Sequence, residues 1–239
     1  MSGAWLVLPT YNEAENVERM IDAASRALAT ASPENRLLVV DDNSPDGTGE
    51  IADRLAADRD RVEVLHRPGK EGLGRAYLAG FAHALADGAD YVLEMDSDFS
   101  HDPADLPRLI AAAEDGADLV LGSRYMPGGG VEGWSWYREW LSRGGCWYAR
   151  VLLGVPVRDL TGGFKCFRRE VLEHIELDTV RSQGYAFQVE LTYRACRNGF
   201  RVREVPIVFH DREAGTSKMS WQIAAEAIWR VPQMRLRSR

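Results

Sequence analysis

Residues 91–101 read Tyr-Val-Leu-Glu-Met-Asp-Ser-Asp-Phe-Ser-His. A short, mostly apolar run, Tyr91 to Met95 with Glu94 inside it, gives way at once to two acids spaced i, i+2, Asp96 and Asp98. A run of that length bounded by polar residues predicts a buried strand. Carboxylates at the exit of a buried strand are costly unless a cation or a hydrogen-bond network neutralises them. Asp-x-Asp offers the partial shell that Mg²⁺ takes when substrate phosphates supply further ligands. The plainer reading of the same residues is a capped turn.

The same arrangement recurs on either side. Trp5–Leu8, Arg36–Val40, Val62–Leu65 and Leu119–Leu121 read as strands, and helical spacing runs over Ala14–Ala29, Thr48–Ala57, Leu73–Leu85 and Pro103–Ala113. Near-continuous Val/Leu strands separated by helices predict βαβ units and a mostly parallel α/β sheet, with right-handed connections. Ligands of such sheets bind outside the carboxyl ends of the strands. Pro9-Thr10, Asp41-Asp42 and Asp96 fall at those ends.

Three further segments carry polar chemistry. In Asp41-Asp-Asn-Ser-Pro-Asp-Gly-Thr48, Ser44, Asp46 and Thr48 are all suited to cap a helix. That leaves Asp42 to accept hydrogen bonds from a base or ribose. In Leu8-Pro-Thr-Tyr-Asn-Glu13, Thr10 or Asn12 suits a helix cap, Glu13 suits the positive end of the helix, and Tyr11 is placed to face a nucleobase. Arg67-Pro-Gly-Lys-Glu-Gly-Leu-Gly74 is a glycine-rich turn, but it is not a Walker loop, and Tyr77 stands where a dinucleotide fingerprint needs its third glycine.

After residue 122 the strand–helix alternation stops. Met126–Gly133 is glycine-rich, and Ser135–Leu153 is helical, mixing Trp136, Trp140, Trp147 and Tyr148 with Arg138, Arg143 and Arg150. Trp and Arg on one helix suit a membrane interface, as well as an ordinary amphipathic helix packed on the sheet. Thr161–Phe167 predicts a return strand, Ala186–Arg197 a helix, Val202–Phe209 a strand and Ser220–Val231 a last helix. Residues 1–133 hold 25 acids against 11 bases and residues 134–239 hold 11 against 18, so a cation suits the first half and phosphates or anionic lipid the second. Only Lys70, Lys165 and Lys218 are lysines; a lysine kept where arginine dominates offers a compact point charge. Three scattered cysteines point to free thiols in a reducing compartment. The N-terminus has no signal-peptide pattern, and no apolar run reaches the ~18 residues that a membrane span needs. An acidic total without a known motif argues against nucleic-acid binding.

Taken in order, the motifs Leu-Pro-Thr-Tyr-Asn-Glu (8–13), Val-Asp-Asp-Asn-Ser-Pro-Asp-Gly-Thr (40–48), Gly-Leu-Gly (72–74), Met-Asp-Ser-Asp (95–98), Gly-Ser-Arg-Tyr (122–125), Asp-Leu-Thr-Gly-Gly-Phe-Lys (159–165) and Gly-Thr-Ser-Lys (215–218) resemble the family 2 glycosyltransferases, and among them the dolichol/polyprenol-phosphate mannosyltransferases. The resemblance implies a GT-A fold: a Rossmann-like, mostly parallel sheet flanked by helices, with C-terminal interface helices. It implies a catalytic domain over 1–219, including the interface helix near 135–153, then an amphipathic helix and basic tail over 220–239. Pro9, Tyr11, Glu13, Val40 and Asp42 match nucleoside contacts, and Asp96, Ser97 and Asp98 match a diphosphate and metal site for Mg²⁺ or Mn²⁺ held by Asp96 and Asp98. Arg124, Arg212 and Lys218 match cations around the donor and acceptor phosphates, and with Asp98 they form the implied catalytic set. Arg138 and Ser142 join Arg124 at the acceptor phosphate, and Gly128–Gly130 matches a closing loop. Ser100 departs from the glutamine that relatives often carry beside the metal, and the transmembrane helices of some relatives are not expected.

The implied reaction is inverting transfer of mannose from GDP-mannose to a polyprenol monophosphate. Its chemistry fits the residues. Charge building on a departing diphosphate calls for a cation and for Arg or Lys, whereas a phosphate monoester with a second pKa near ~6 attacks without a general base. A UDP-glucose-dependent glucosyltransferase and a non-catalytic nucleotide-sugar-binding module are the alternatives. The expected placement is cytoplasmic and peripheral, on the inner face of the plasma membrane, through the Trp/Arg helix and the basic tail or through a membrane-embedded partner protein.

Overall fold

The structure, a computed structural model, describes residues 3–211 and 230–236. Arg212, Lys218, the 215–218 motif and most of the expected last helix lie outside the described residues.

The chain alternates β1 (Ala4–Thr10), α1 (Val17–Ala31), β2 (Arg36–Asp41), α2 (Thr48–Ala57), β3 (Val62–His66), α3 (Leu73–Ala86), β4 (Tyr91–Glu94), α4 (Leu106–Glu114) and β5 (Leu119–Ser123). Then follow β6 (Gly130–Glu132), α5 (Trp136–Leu153), β7 (Lys165–Arg168), α6 (Arg169–His174), α7 (Gly184–Arg197), β8 (Val202–Pro206) and β9 (Val208–His210). The main sheet has the order β3-β2-β1-β4-β7-β5-β8. Every neighbouring pair is parallel except those made by β7, which runs antiparallel between β4 and β5. β6 and β9 form a separate parallel ribbon.

The continuous apolar runs follow from burial on both faces. All seven residues of β1 are buried; Leu6 and Leu8 face the layer of α1, α2 and α4, while Trp5 and Val7 face the layer of α3 and α7. Gly80 lets α3 lie against the sheet, because a Cβ there would come within 2.3 Å of Val7 Cγ1.

Four local expectations need correction. The first helix starts at Val17 and not Ala14; Asn16 precedes it, and neither Thr10 nor Asn12 caps it. The expected helix from Pro103 begins as a 3₁₀ turn, Pro103–Asp105, with Asp102 accepting from the Ala104 N–H. The return strand is shorter than Thr161–Phe167, with Thr161 to Phe164 irregular. The single strand expected over Val202–Phe209 is two, because the chain leaves the main sheet at Ile207 and joins β6.

α5 buries only Cys146, Ala149 and Leu153. Its other side exposes Trp136, Tyr137, Trp140, Leu141, Trp147 and Val151, with Trp136 82% accessible. No helix among the described residues is long and apolar enough to cross a membrane. Residues 230–236 are helical and dock at the end of α5, where Arg235 donates to the Leu152 carbonyl.

Candidate active site

The loops leaving β1, β2 and β4 meet at one end of the sheet. Three of the four described non-glycine residues with left-handed backbone lie in them: Asn12, Asn43 and Phe99. A bulky residue such as Phe adopts that conformation only where its surroundings enforce it. Side chains of the second loop hold the first: Ser44 Oγ accepts from the Asn12 N–H at 3.1 Å, Thr48 Oγ1 from the Glu13 N–H at 2.9 Å and Asp46 Oδ2 from the Ala14 N–H at 3.1 Å. Ser44, Asp46 and Thr48 thus act together on the first loop, whose residues 12–14 are tied down before α1 begins. Asp46 also accepts from the Thr48 N–H across a tight turn, but the residue at the cap of α2 is Gly47, so none of Ser44, Asp46 and Thr48 caps that helix.

The two acids after β2 divide their tasks. Asp41 accepts from the Ser44 N–H and hydroxyl and closes the turn. Asp42 turns to the cleft, paired with buried Arg67, which also reaches Glu71 at 2.7 Å. Burial raises the Asp42 pKa and the Arg67 guanidinium opposes that rise.

Pro9, Thr10, Tyr11, Glu13, Asp42, Lys70, Gly72, Leu73, Ala76, Asp96, Ser97 and Asp98 line a single cleft of about 190 Å³. The structure therefore brings together seven of the expected residues: Pro9, Tyr11, Glu13, Asp42, Asp96, Ser97 and Asp98. Val40 is different, since its side chain packs in the apolar layer with Val7 and Tyr77 beneath the cleft. Asp96 accepts from the Tyr77 hydroxyl at 3.1 Å, and Asp98 accepts from the Ser100 N–H at 3.1 Å. Burial raises the Tyr77 pKa well above its ordinary value, so this phenol stays a donor. Tyr77, which spoils the dinucleotide fingerprint, is thus a buried support for the first acid.

Lys70, Arg67 and Tyr77 are the residues that spacing alone left without a role. Lys70 is the only cation among the described residues that line the cleft, and its ammonium stands 4.0 Å over the Tyr11 ring. Its rarity in an arginine-rich chain was the available signal.

Two carboxylates on one wall fit a hard, oxygen-seeking ion such as Mg²⁺ or Mn²⁺ that shares its shell with phosphate oxygens. Among the described residues the one grouping with three possible ligands is Glu63, His83 and Asp87, on β3 and at the end of α3, outside the lining of the cleft. There Glu63 already pairs with Arg36 at 2.6 Å and His83 at 3.1 Å.

The expected acceptor side lies around the loop after β5. Arg124 is buried, and its Nε and Nη2 grip Asp159 at 2.7 Å each, with Nη2 also on Thr161 at 2.8 Å. Asp159 lowers its own cost of burial through Arg124, which holds its pKa below the ordinary value against desolvation. Arg124 is therefore the partner of a buried acid and not a bare cation. Cys146, next to this pair, is pushed up to about 11 by burial and remains a thiol. Tyr125, beside Arg124 and Arg143, donates to Ser142 Oγ at 2.7 Å. Trp134 lies under both Arg124 and Arg138, and Arg138 pairs with Asp211 at 2.9 Å. Arg124, Arg138 and Ser142 thus share aromatic neighbours.

Residues 5–176 match the sequence profile of glycosyl transferase family 2. The chain is 51% identical over 235 residues to a polyprenol monophosphomannose synthase of Mycolicibacterium smegmatis, covering 98% of this chain and 87% of that one. It is 47% identical over 233 residues to an undecaprenyl-phosphate mannosyltransferase of Micrococcus luteus, covering 98% and 94%. A glucosyl-3-phosphoglycerate synthase from Mycobacterium tuberculosis, solved with Mn²⁺, UDP-glucose and phosphoglyceric acid, superposes with a TM-score of 0.72 over 98% of this chain and 80% of its own. At 21% identity that likeness speaks for the fold.

Proposed function

The chain belongs to glycosyltransferase family 2, and on that footing we propose that it transfers mannose from GDP-mannose to a polyprenol monophosphate with inversion at the anomeric carbon. The observation that carries the reading is the single cleft in which Asp96 and Asp98 meet Tyr11, Glu13 and Asp42. Two relatives at 51% and 47% identity bear names that specify mannose and a polyprenyl phosphate, which supports the sugar and the acceptor class.

In this reading Asp96 and Asp98 hold a divalent cation, and when bound it neutralises charge on the departing diphosphate. Pro9, Tyr11, Glu13, Val40 and Asp42 bind the nucleoside, with Val40 acting from beneath by fixing the strand that carries Asp42. Ser97 serves the diphosphate, and Lys70 adds a positive charge at the cleft. Arg138, Ser142 and the Arg124–Asp159 pair receive the acceptor phosphate, with Arg212 and Lys218 as further cations. One acceptor oxygen bonds to the anomeric carbon as that carbon's bond to the diphosphate breaks, and GDP leaves. No proton has to move, so the site needs no base.

The acceptor lies in a bilayer. The exposed Trp136, Trp140 and Trp147 on α5 suit its interfacial zone, so we take the chain to work peripherally, on the inner face of the plasma membrane. Anionic headgroups would add roughly 1 kcal/mol per nearby basic residue, and a membrane-embedded partner could share the anchoring.

A panel of GDP-mannose and UDP-glucose with a short polyprenyl phosphate tests the assignment. GDP-mannose is expected to be turned over in preference, and exclusive use of UDP-glucose would overturn the donor. Asp98→Ala is expected to cost at least about a hundredfold in turnover at saturating Mg²⁺ or Mn²⁺. Wild-type turnover by that variant would remove the metal's role.

A further inference from the structure

Beneath the cleft sits a charged cluster that the reaction above does not use. Lys165, in β7, is completely buried, and its ammonium donates to Glu94 Oε1 at 3.0 Å, to the Gln188 carbonyl at 3.3 Å and to Gln188 Oε1. Glu94 is equally buried and ends β4, two residues before Asp96. Desolvation presses Lys165 down and Glu94 up, and each draws the other back toward its charged form. A buried ion pair of this kind is often no better for stability than apolar packing, so its presence asks for another explanation.

Gln188 supplies one. An ammonium only donates, so the amide atom facing Lys165 is the oxygen. The amide nitrogen is thereby turned away from the lysine. Gln188 is 4% exposed, and its Nε2 makes no hydrogen bond of good geometry among the described residues, although the amide lies near enough to Glu94 to help hold that carboxyl's pKa down. Gly163 marks where that nitrogen faces. A Cβ on residue 163 would stand 3.3 Å from Gln188 Nε2 and 3.9 Å from Asp96 Oδ2. The amide N–H and the Asp96 carboxylate therefore border one gap, left by a missing side chain, and Asp96 is also a wall of the cleft.

We infer that Gln188 is a further substrate-binding residue, whose Nε2 donates a hydrogen bond to a hydroxyl of the transferred hexose, in the space that Gly163 keeps open. Lys165 and Glu94 are positioning residues that fix the direction of the amide. This rests on the reading that the cleft takes a nucleotide sugar, and it explains why a lysine is kept in the Gly-Gly-Phe-Lys motif.

A comparison of a nucleoside diphosphate with its own sugar nucleotide isolates the hexose. GDP and GDP-mannose are titrated calorimetrically into the wild type, Gln188→Met and Gly163→Ala with Mg²⁺ and without acceptor. If the wild type turns over UDP-glucose instead, UDP and UDP-glucose replace them, so that a wrong donor does not count against Gln188. Both variants should bind the nucleoside diphosphate within about twofold of wild type and the sugar nucleotide roughly 3–10-fold more weakly. Equal losses for both ligands would show that the cluster serves only the fold, with Nε2 committed to Glu94, and would overturn the inference. So would variants that bind the sugar nucleotide as tightly as wild type. Should Gln188→Met fail to fold, Gly163→Ala decides, because it leaves the lysine cluster intact.

Discussion

Replacing His101 with phenylalanine should flatten the acid side of the stability curve. His101 is buried, with its ring 5.1 Å from that of Phe164 and 5.0 Å from that of Phe209. Neither ring nitrogen has a partner among the described residues. Desolvation depresses its pKa to about 4; Asp98 and Asp159 oppose the shift and Arg124 adds to it. The folded chain thus keeps this imidazole neutral where the unfolded chain, titrating near ~6.5, takes up a proton. Between those two values the unfolded state binds more protons, so stability falls as pH falls, by about 1.4 kcal/mol per pH unit. Asp42 and Glu94, whose pKa values burial raises, act with the opposite sign, so the contribution has to be read as a difference. Urea unfolding of wild type and His101→Phe would be compared from about pH 7.5 to about pH 4.5. The wild type should lose about 2.5 kcal/mol relative to the variant across that span. A difference that stays constant with pH would refute the reasoning, for the imidazole would then titrate alike in both states.

Three other perturbations test separate parts of the structure. Tyr77→Phe keeps the ring between Phe81 and Phe187 but removes the hydrogen bond to Asp96; stability should change by about 1 kcal/mol or less while kcat/KM falls roughly 3–10-fold, and an unchanged kcat/KM would deny the phenol its supporting role. Gly80→Ala gains helix propensity yet drives a methyl into Val7, so urea unfolding should show a net loss of about 1–3 kcal/mol. Replacing Trp136, Trp140 and Trp147 together by serine should abolish co-sedimentation with anionic liposomes at low salt and leave the melting temperature close to wild type, because all three side chains are mostly exposed.

The alternation of apolar runs with helical segments made the parallel sheet legible, and the acids at the strand exits located the cleft. That worked because β1, β2 and β4 are buried on both faces and end where a ligand site opens. The antiparallel course of β7 was not legible. A four-residue strand buried at three positions carries no sign of its direction, and its place between β4 and β5 is settled by tertiary packing. The break at Ile207 was hidden for a like reason, since Val202 to Phe209 reads as one run although its two parts pair with different strands. The Asp42–Arg67 pair joins residues 25 apart in sequence, and no local spacing announces such a contact. Val40, a nucleoside contact by the resemblance, has its side chain packed in the apolar layer beneath the cleft.

The charge asymmetry of the chain has a structural meaning that neither half shows alone. Four acids of the first half, Glu13, Asp42, Asp96 and Asp98, stand together at the cleft beside Lys70, and on the proposed function a divalent cation would relieve their mutual repulsion. The arginines of the second half are not idle positive charge, since Arg138 is taken by Asp211 and Arg143 by Glu139; Arg124, from the first half, is taken by Asp159 of the second. These pairs differ in what breaking them costs. The Arg124–Asp159 pair is buried and bidentate, so removing either partner would strand a charge, a loss of about 3–5 kcal/mol. The Arg138–Asp211 pair is partly open to solvent, where an ion pair contributes roughly 0–1 kcal/mol. A phosphate dianion could therefore replace Asp211 on Arg138 at little cost, while Arg124 stays fixed as a frame. On the proposed function, the acceptor gains its place by exchanging a weak carboxylate partner for a stronger phosphate one, with the geometry of the site already set by the pair that does not open.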